Sequence, residues 1–152
     1  LLWQRAHSDA LKLLRALPEQ GFEMVPDWLR LNGDGVSTLS EKPPQFGYEA
    51  IRVVLFLAWD EILAEVPAVV ELLDTVEESG RILLSINSTS GTVTREEGSG
   101  GIYAVMARAA MSLNRPELSE TLWKKAKEKL VNEKDDYYSQ VLYLFSRMRI
   151  AP

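Results

Sequence analysis

The stretch FGYEAIRVVLFLAW, Phe46 to Trp59, constrains this chain more than any other, because it sets an acid, Glu49, and a base, Arg52, three residues apart in the most apolar run of the sequence. A solvated helix has no use for so much Ile, Val and Leu, and a buried one does not normally tolerate the charges. The β-branched Ile51, Val53 and Val54 would also suit a buried strand. The length of the run favours a helix starting near Phe46, just after Pro43 and Pro44.

The rest of the chain reads as further helices. From Trp3 the positions Ala6, Ala10, Leu13, Leu14 and Leu17 recur at spacings of three and four, one face of a helix that Pro18 and Gly21 end. Asn-Gly-Asp-Gly at 32–35 is a turn signal inside an otherwise irregular segment from Gly21 to Lys42, and predicts a small hairpin. Pro67 opens a third helix that Gly80 closes. Residues Ile82 to Thr94 are rich in β-branched side chains around STSG and predict a short hairpin. GSGG at Gly98 to Gly101 reads as a flexible joint into a fourth helix. A fifth runs from Pro116 to Leu130, with KKAKEK as its solvated face, and a sixth from Tyr137 to about Arg149. The expectation is an all-α chain of about six helices in antiparallel pairs with a minor β-hairpin. No repeat of fixed period marks a solenoid.

Composition excludes several functions. The chain has 152 residues, 46% of them hydrophobic, enough to bury roughly 70% of the unfolded surface in one core. With 17 Lys plus Arg against 22 Asp plus Glu, the net charge of −5 offers no attraction for nucleic acid or anionic lipid. There is no cysteine for a disulfide, a thiolate nucleophile or a metal site, and the single His7 cannot form a metal cluster alone, so neither metal nor cofactor is expected. No stretch approaches the ~18 apolar residues of a membrane span, and the chain reads as soluble. Leu1, Leu2 and Trp3 lead straight into an amphipathic pattern without Met, cap or signal-peptide features, as if the sequence started inside a domain.

The chemistry that spacing alone allows is modest. Glu49 and Arg52 lie at i and i+3, and Tyr48 and Arg52 at i and i+4, so a carboxylate, a phenol and a guanidinium can share one neighbourhood. Such a pair is most often an ordinary helix-surface interaction. GDG, GSGG and STSG lack the strand-to-helix context and the Lys-Ser or Lys-Thr of a phosphate loop. Trp59 and Trp123 read as core. Trp28, in a polar loop, can stack on a ligand ring, and Asp27 before it is either a ligand contact or a cap or loop anchor.

The same segments resemble glycoside hydrolase family 8, particularly the endoglucanases of bacterial cellulose-synthesis operons. FGYEAIRVVLFLAW is similar to the YDA-I-R-V helix of that family, GFEMVPDWLRL to its GF-x-PDWV stretch, and DDYYSQVLYLF to the YY-x-x-VL-x-LF of its last helix, in the same order and at matching spacing. The resemblance implies part of an (α/α)6 barrel, with residues 1–152 as the C-terminal half of the catalytic domain and the N-terminal half supplied by another chain or by residues outside this sequence. It implies hydrolysis of β-1,4-glucan with inversion at the anomeric carbon, and a periplasmic or secreted location. Inversion needs one carboxylic acid to protonate the leaving oxygen and one carboxylate, across a gap of about 6.5–9.5 Å, to activate water.

By this resemblance Glu49 occupies the position of the family's base, with Arg52 holding its carboxylate charged and Tyr48 beside it; Trp28, from its polar loop, and Asp27 of PDW are the candidate substrate contacts. Two departures stand out. The family base is Asp, one methylene shorter than Glu49, and the family's proton-donating Glu matches no residue here, so this chain alone is expected to be inactive. The alternatives are a catalytically inactive carbohydrate-binding or scaffolding relative, and an unrelated helical interaction module.

Overall fold

A computed structural model describes residues 2–33, 35–84, 86–91 and 97–148. Six α-helices occur among them: α1 (Leu2–Ala16), α2 (Ile51–Trp59), α3 (Pro67–Ser79), α4 (Gly100–Ser112), α5 (Pro116–Asn132) and α6 (Tyr137–Arg147). Two small antiparallel strand pairs accompany them, β1 (Arg30–Asn32) with β2 (Gly35–Ser37) and β3 (Gln45–Phe46) with β4 (Ile86–Asn87). The first is the hairpin foreseen around Asn-Gly-Asp-Gly, with Leu31 opposite Val36; Asp34 at its tip lies outside the described residues.

Helix α4 is the axis of the bundle. Every residue from Gly100 to Ala110 except Arg108 is buried, and α4 packs against α2, α5 and α6. Gly100 and Gly101 are not a flexible joint, as the sequence suggested, but the first helical residues. A Cβ on Gly100 would lie 2.7 Å from Leu130 Cγ and 2.8 Å from the Ala126 carbonyl, and one on Gly101 would lie 2.5 Å from the Ser139 carbonyl oxygen. The missing side chains let α5 and α6 approach the α4 backbone. The freed amides are capped from those neighbours: Glu133 Oε2 accepts from Gly100 N–H (2.7 Å) and Ser139 Oγ from Gly101 N–H (2.8 Å). Three residues connect α4 to α5, with Asn114 left-handed at φ 57°, and the two helices run back along each other.

The sequence periodicities resolve as the physics requires. Leu17, the end of the α1 stripe, is fully buried, and Gly21 closes the following turn at φ 82°. Gly80 does the same for α3 at φ 66°, its N–H bonding to the Val76 carbonyl. The KKAKEK run is solvated in part only: Ala126 is core, and the ammonium groups of Lys125 and Lys129 lie over the buried Tyr103 ring at 5.8 and 5.5 Å.

Two boundaries differ from the sequence reading. Helix α2 begins at Ile51, not near Phe46, because Phe46 is drawn into β3, where it is fully buried opposite Ile86. Ile86 therefore finds its partner 40 residues back along the chain and not in a local Ile82–Thr94 hairpin; Leu83 bridges to Glu97, and residues 92–94, the expected return strand, lie outside the described residues. The sixth helix ends at Arg147, two residues before the expected Arg149, which is also outside them.

Candidate functional site

Between β3 and α2 the chain makes a turn through Gly47, Tyr48, Glu49 and Ala50. Ala50, at the head of α2, offers no capping side chain. The cap comes from Asp27, whose Oδ1 accepts hydrogen bonds from Gly47 N–H (2.9 Å), Glu49 N–H (3.0 Å) and Ala50 N–H (2.8 Å). One carboxylate oxygen thus satisfies three amides that the helix cannot, and its charge sits at the positive end of the helix dipole. Asp27 is itself tied to β3, its N–H bonding to the Gln45 carbonyl at 2.6 Å. Gly47 is required for this approach, since a Cβ there would lie 2.6 Å from Asp27 Oδ2.

The turn brings the sequence-named residues together. Glu49 forms an ion pair with Arg52, and both side chains are close to half exposed, so solvent screens the pair and its worth to the fold is small. Tyr48 packs edge-on against Tyr138 of α6, ring centroids 5.9 Å apart at 68°, and the Tyr138 hydroxyl donates to the Tyr48 carbonyl. Burial raises the Tyr138 phenol above its usual pKa; Arg52 opposes that shift, while Asp27 and Asp136 add to it. The starts of α2 and α6 and the Asp27 loop therefore meet around Tyr138, beside the Glu49–Arg52 pair. Trp28, next to Asp27, is half exposed, and the Lys42 ammonium lies 5.3 Å from its ring centre.

Sequence reasoning did not single out Tyr138 or Lys42. Both contacts are long-range, 90 residues apart for Tyr138 and Tyr48, and no local spacing reports them. His7 makes a 3.0 Å contact with Asp60, away from this cluster. Among the described residues no three His, Asp or Glu side chains converge as metal ligands, and no helix is long and apolar enough to cross a membrane.

The arrangement defines an all-α bundle that presents a carboxylate, a guanidinium and aromatic rings from the N-terminal ends of its helices, and it is part of an (α/α)6 barrel. The model of the glycosyl hydrolases family 8 matches residues 1–149, and the chain belongs to that family. It is similar to a "probable endoglucanase" of Novacetimonas hansenii, 36% identical over 64 residues that cover 41% of this chain and 19% of the relative. It is also similar to the crystal structure of endo-1,4-D-glucanase from Vibrio fischeri ES114, with a TM-score of 0.71, 25% identity, and coverage of 90% of this chain and 40% of that one. The chain thus spans less than half the length of either.

Proposed function

We propose that this chain carries the general-base portion of an inverting endo-β-1,4-glucanase site, with Glu49 as the base. The observation that carries the reading is the place of Glu49: on the entry turn of α2, its backbone fixed by Asp27 and its carboxylate held by Arg52. In the reaction, Glu49 takes a proton from a water molecule as the water oxygen attacks the anomeric carbon. The bond to the leaving glucosyl oxygen breaks on the opposite face, and a carboxylic acid protonates that oxygen.

The acid is supplied from outside these residues, by the N-terminal part of the barrel, whose helices close the ring against this chain. Residues 1–152 are in this reading the C-terminal half of the catalytic domain. Trp28 offers an aromatic face to a glucosyl ring, Tyr48 stands next to Glu49 on the same turn, and Asp27 acts on catalysis by holding that turn, since its Oδ1 is already taken up by three amides. The likeness to endoglucanases of cellulose-synthesis operons supports a periplasmic or secreted location for the enzyme.

One observation favours a second reading, an inactive carbohydrate-binding relative: Glu49 stands where the family has Asp, and an error of about 1 Å at a catalytic group costs on the order of a hundredfold. Hydrolysis of a soluble cellulose derivative by the assembled barrel, followed by NMR of the newly released anomers, separates the two. Release of the α-anomer from β-linked glucan supports the enzyme; binding without release of reducing ends supports the inactive relative.

A further inference from the structure

The peptide that joins Tyr48 to Glu49 is held at both of its polar groups by side chains from distant parts of the chain. Its N–H, that of Glu49, donates to Asp27 Oδ1 at 3.0 Å, and its C=O, that of Tyr48, accepts from the hydroxyl of Tyr138 at the start of α6. The two groups point in opposite directions across a trans peptide, so Asp27 and Tyr138 grip it from opposite sides. Held on one side only, a peptide rocks between its flanking φ and ψ angles, and the direction of the Glu49 side chain loosens with it. Held on both, it is fixed.

The donor is itself anchored. Two residues before Tyr138, Asp136 Oδ1 caps α6 through Ser139 N–H (3.1 Å), and the buried Ser139 that follows Tyr138 accepts through its Oγ from Gly101 N–H of α4 (2.8 Å). Contacts thus run from the core helix α4 through α6 to the turn that presents Glu49. The Tyr138 ring packs edge-on against Tyr48, and burial raises its phenol above the ordinary pKa, which keeps the hydroxyl protonated as a donor at neutral pH. A phenylalanine would supply the same ring, so the hydroxyl has its own task at the Tyr48 carbonyl.

We propose that Tyr138 is a positioning residue for Glu49: its hydroxyl fixes the Tyr48–Glu49 peptide and thereby the direction in which the Glu49 carboxylate is presented to water. This role rests on the reading of Glu49 as the base, and it adds an anchor from α6 to the one that Asp27 supplies. Loss of the hydroxyl slows the chemical step and leaves ground-state binding of glucan in place. A catalytic group misplaced by about 1 Å loses on the order of a hundredfold in rate, and a peptide still held by Asp27 loses less, about tenfold.

Tyr138→Phe, checked for an unchanged helical CD spectrum, tests this. In the 152-residue chain, hydrogen exchange of the Glu49 amide is expected to quicken about fivefold, the effect of one lost hydrogen bond. In the closed barrel, kcat on soluble cellulose is expected to fall about tenfold with KM close to the parent. Added to Glu49→Gln, which has no carboxylate left to aim, Tyr138→Phe leaves the residual rate unchanged. An unmoved Glu49 amide would overturn the grip. A parent-like kcat, a rise in KM alone, or an equal fractional loss in the Glu49→Gln background would overturn the positioning role. The base reading fails on a different observable, a Glu49→Gln barrel that hydrolyses glucan at the parent rate.

Discussion

Asp27 organises more of the candidate site than any other single residue, because its Oδ1 alone accepts from three amides on the turn that carries Glu49. Asp27→Ala leaves those amides without their acceptor and is expected to cost about 2–3 kcal/mol in urea unfolding, with amide exchange at Gly47, Glu49 and Ala50 accelerated first. Asp27→Asn keeps an oxygen acceptor and gives up the charge, so its loss is smaller. A second residue, Gly47, makes the approach possible. Gly47→Ala inserts a Cβ 2.6 Å from Asp27 Oδ2 and should destabilise by roughly 1–3 kcal/mol, with less effect when Asp27 is already Ala. At this scale the sequence was partly legible. The acid–base pair of Glu49 and Arg52 follows from spacing of three residues, and Asp27 was readable as ligand contact or anchor. The anchoring contacts run to amides 20 and 23 residues away, which spacing does not encode.

The elements are held by a small number of buried polar groups as well as by the apolar faces. Tyr103 of α4 is fully buried, donates its hydroxyl to Glu97 at 2.6 Å and accepts from Ile82 N–H at 3.2 Å. Burial first, then the Glu97 carboxylate, pushes its pKa up from 10.0 to about 12. A raised folded-state pKa means that the neutral phenol contributes stability fully below pH 10.0 and loses it as pH rises toward about 12. Glu97 works in the opposite sense. Its pKa is lowered, first by the Tyr103 hydrogen bond, so its contribution is present above the ordinary carboxylate range and is lost as pH falls through the lowered folded value. Tyr103→Phe should therefore cost about 1–3 kcal/mol at neutral pH and flatten both the alkaline and the acid limb of the stability profile measured by denaturant titration.

Helix existence and type were legible in the elements because the periods, prolines and terminal glycines are local signals. What escaped was again tertiary. GSGG looked like a hinge because glycine-rich stretches often are, whereas here Gly100 and Gly101 are small to admit Leu130 and the Ser139 backbone. Ile86 looked like half of a local hairpin, whereas burial against Phe46 gave it a distant partner.

On the scale of the whole molecule, the chain buries one continuous core yet leaves large apolar side chains outside it: Trp3 is 85% exposed, Leu144 60% and Phe56 53%. Helix α1 buries none of its residues. Closing the barrel would give these groups a packing partner, and the isolated chain is therefore expected to self-associate with rising concentration in sedimentation velocity, while the closed barrel does not. Monodisperse behaviour of the isolated chain at high concentration would argue for a self-sufficient surface. The (α/α)6 architecture was legible only through the likeness of three segments to family 8, since part of a ring of helices has no periodic signature of its own.

The proposed role of Glu49 as the base for glucan hydrolysis is tested in the closed barrel with the nearly isosteric Glu49→Gln. That substitution keeps the size of the side chain and removes its ability to accept a proton. Hydrolysis of soluble cellulose is expected to fall by at least about a hundredfold while thermal stability and cello-oligosaccharide binding stay close to the parent, and Glu49→Asp, with the shorter reach of the family residue, is expected to retain or raise the rate. A Glu49→Gln barrel that hydrolyses glucan at the parent rate would contradict a base role and leave Glu49 as an ion-pair partner of Arg52.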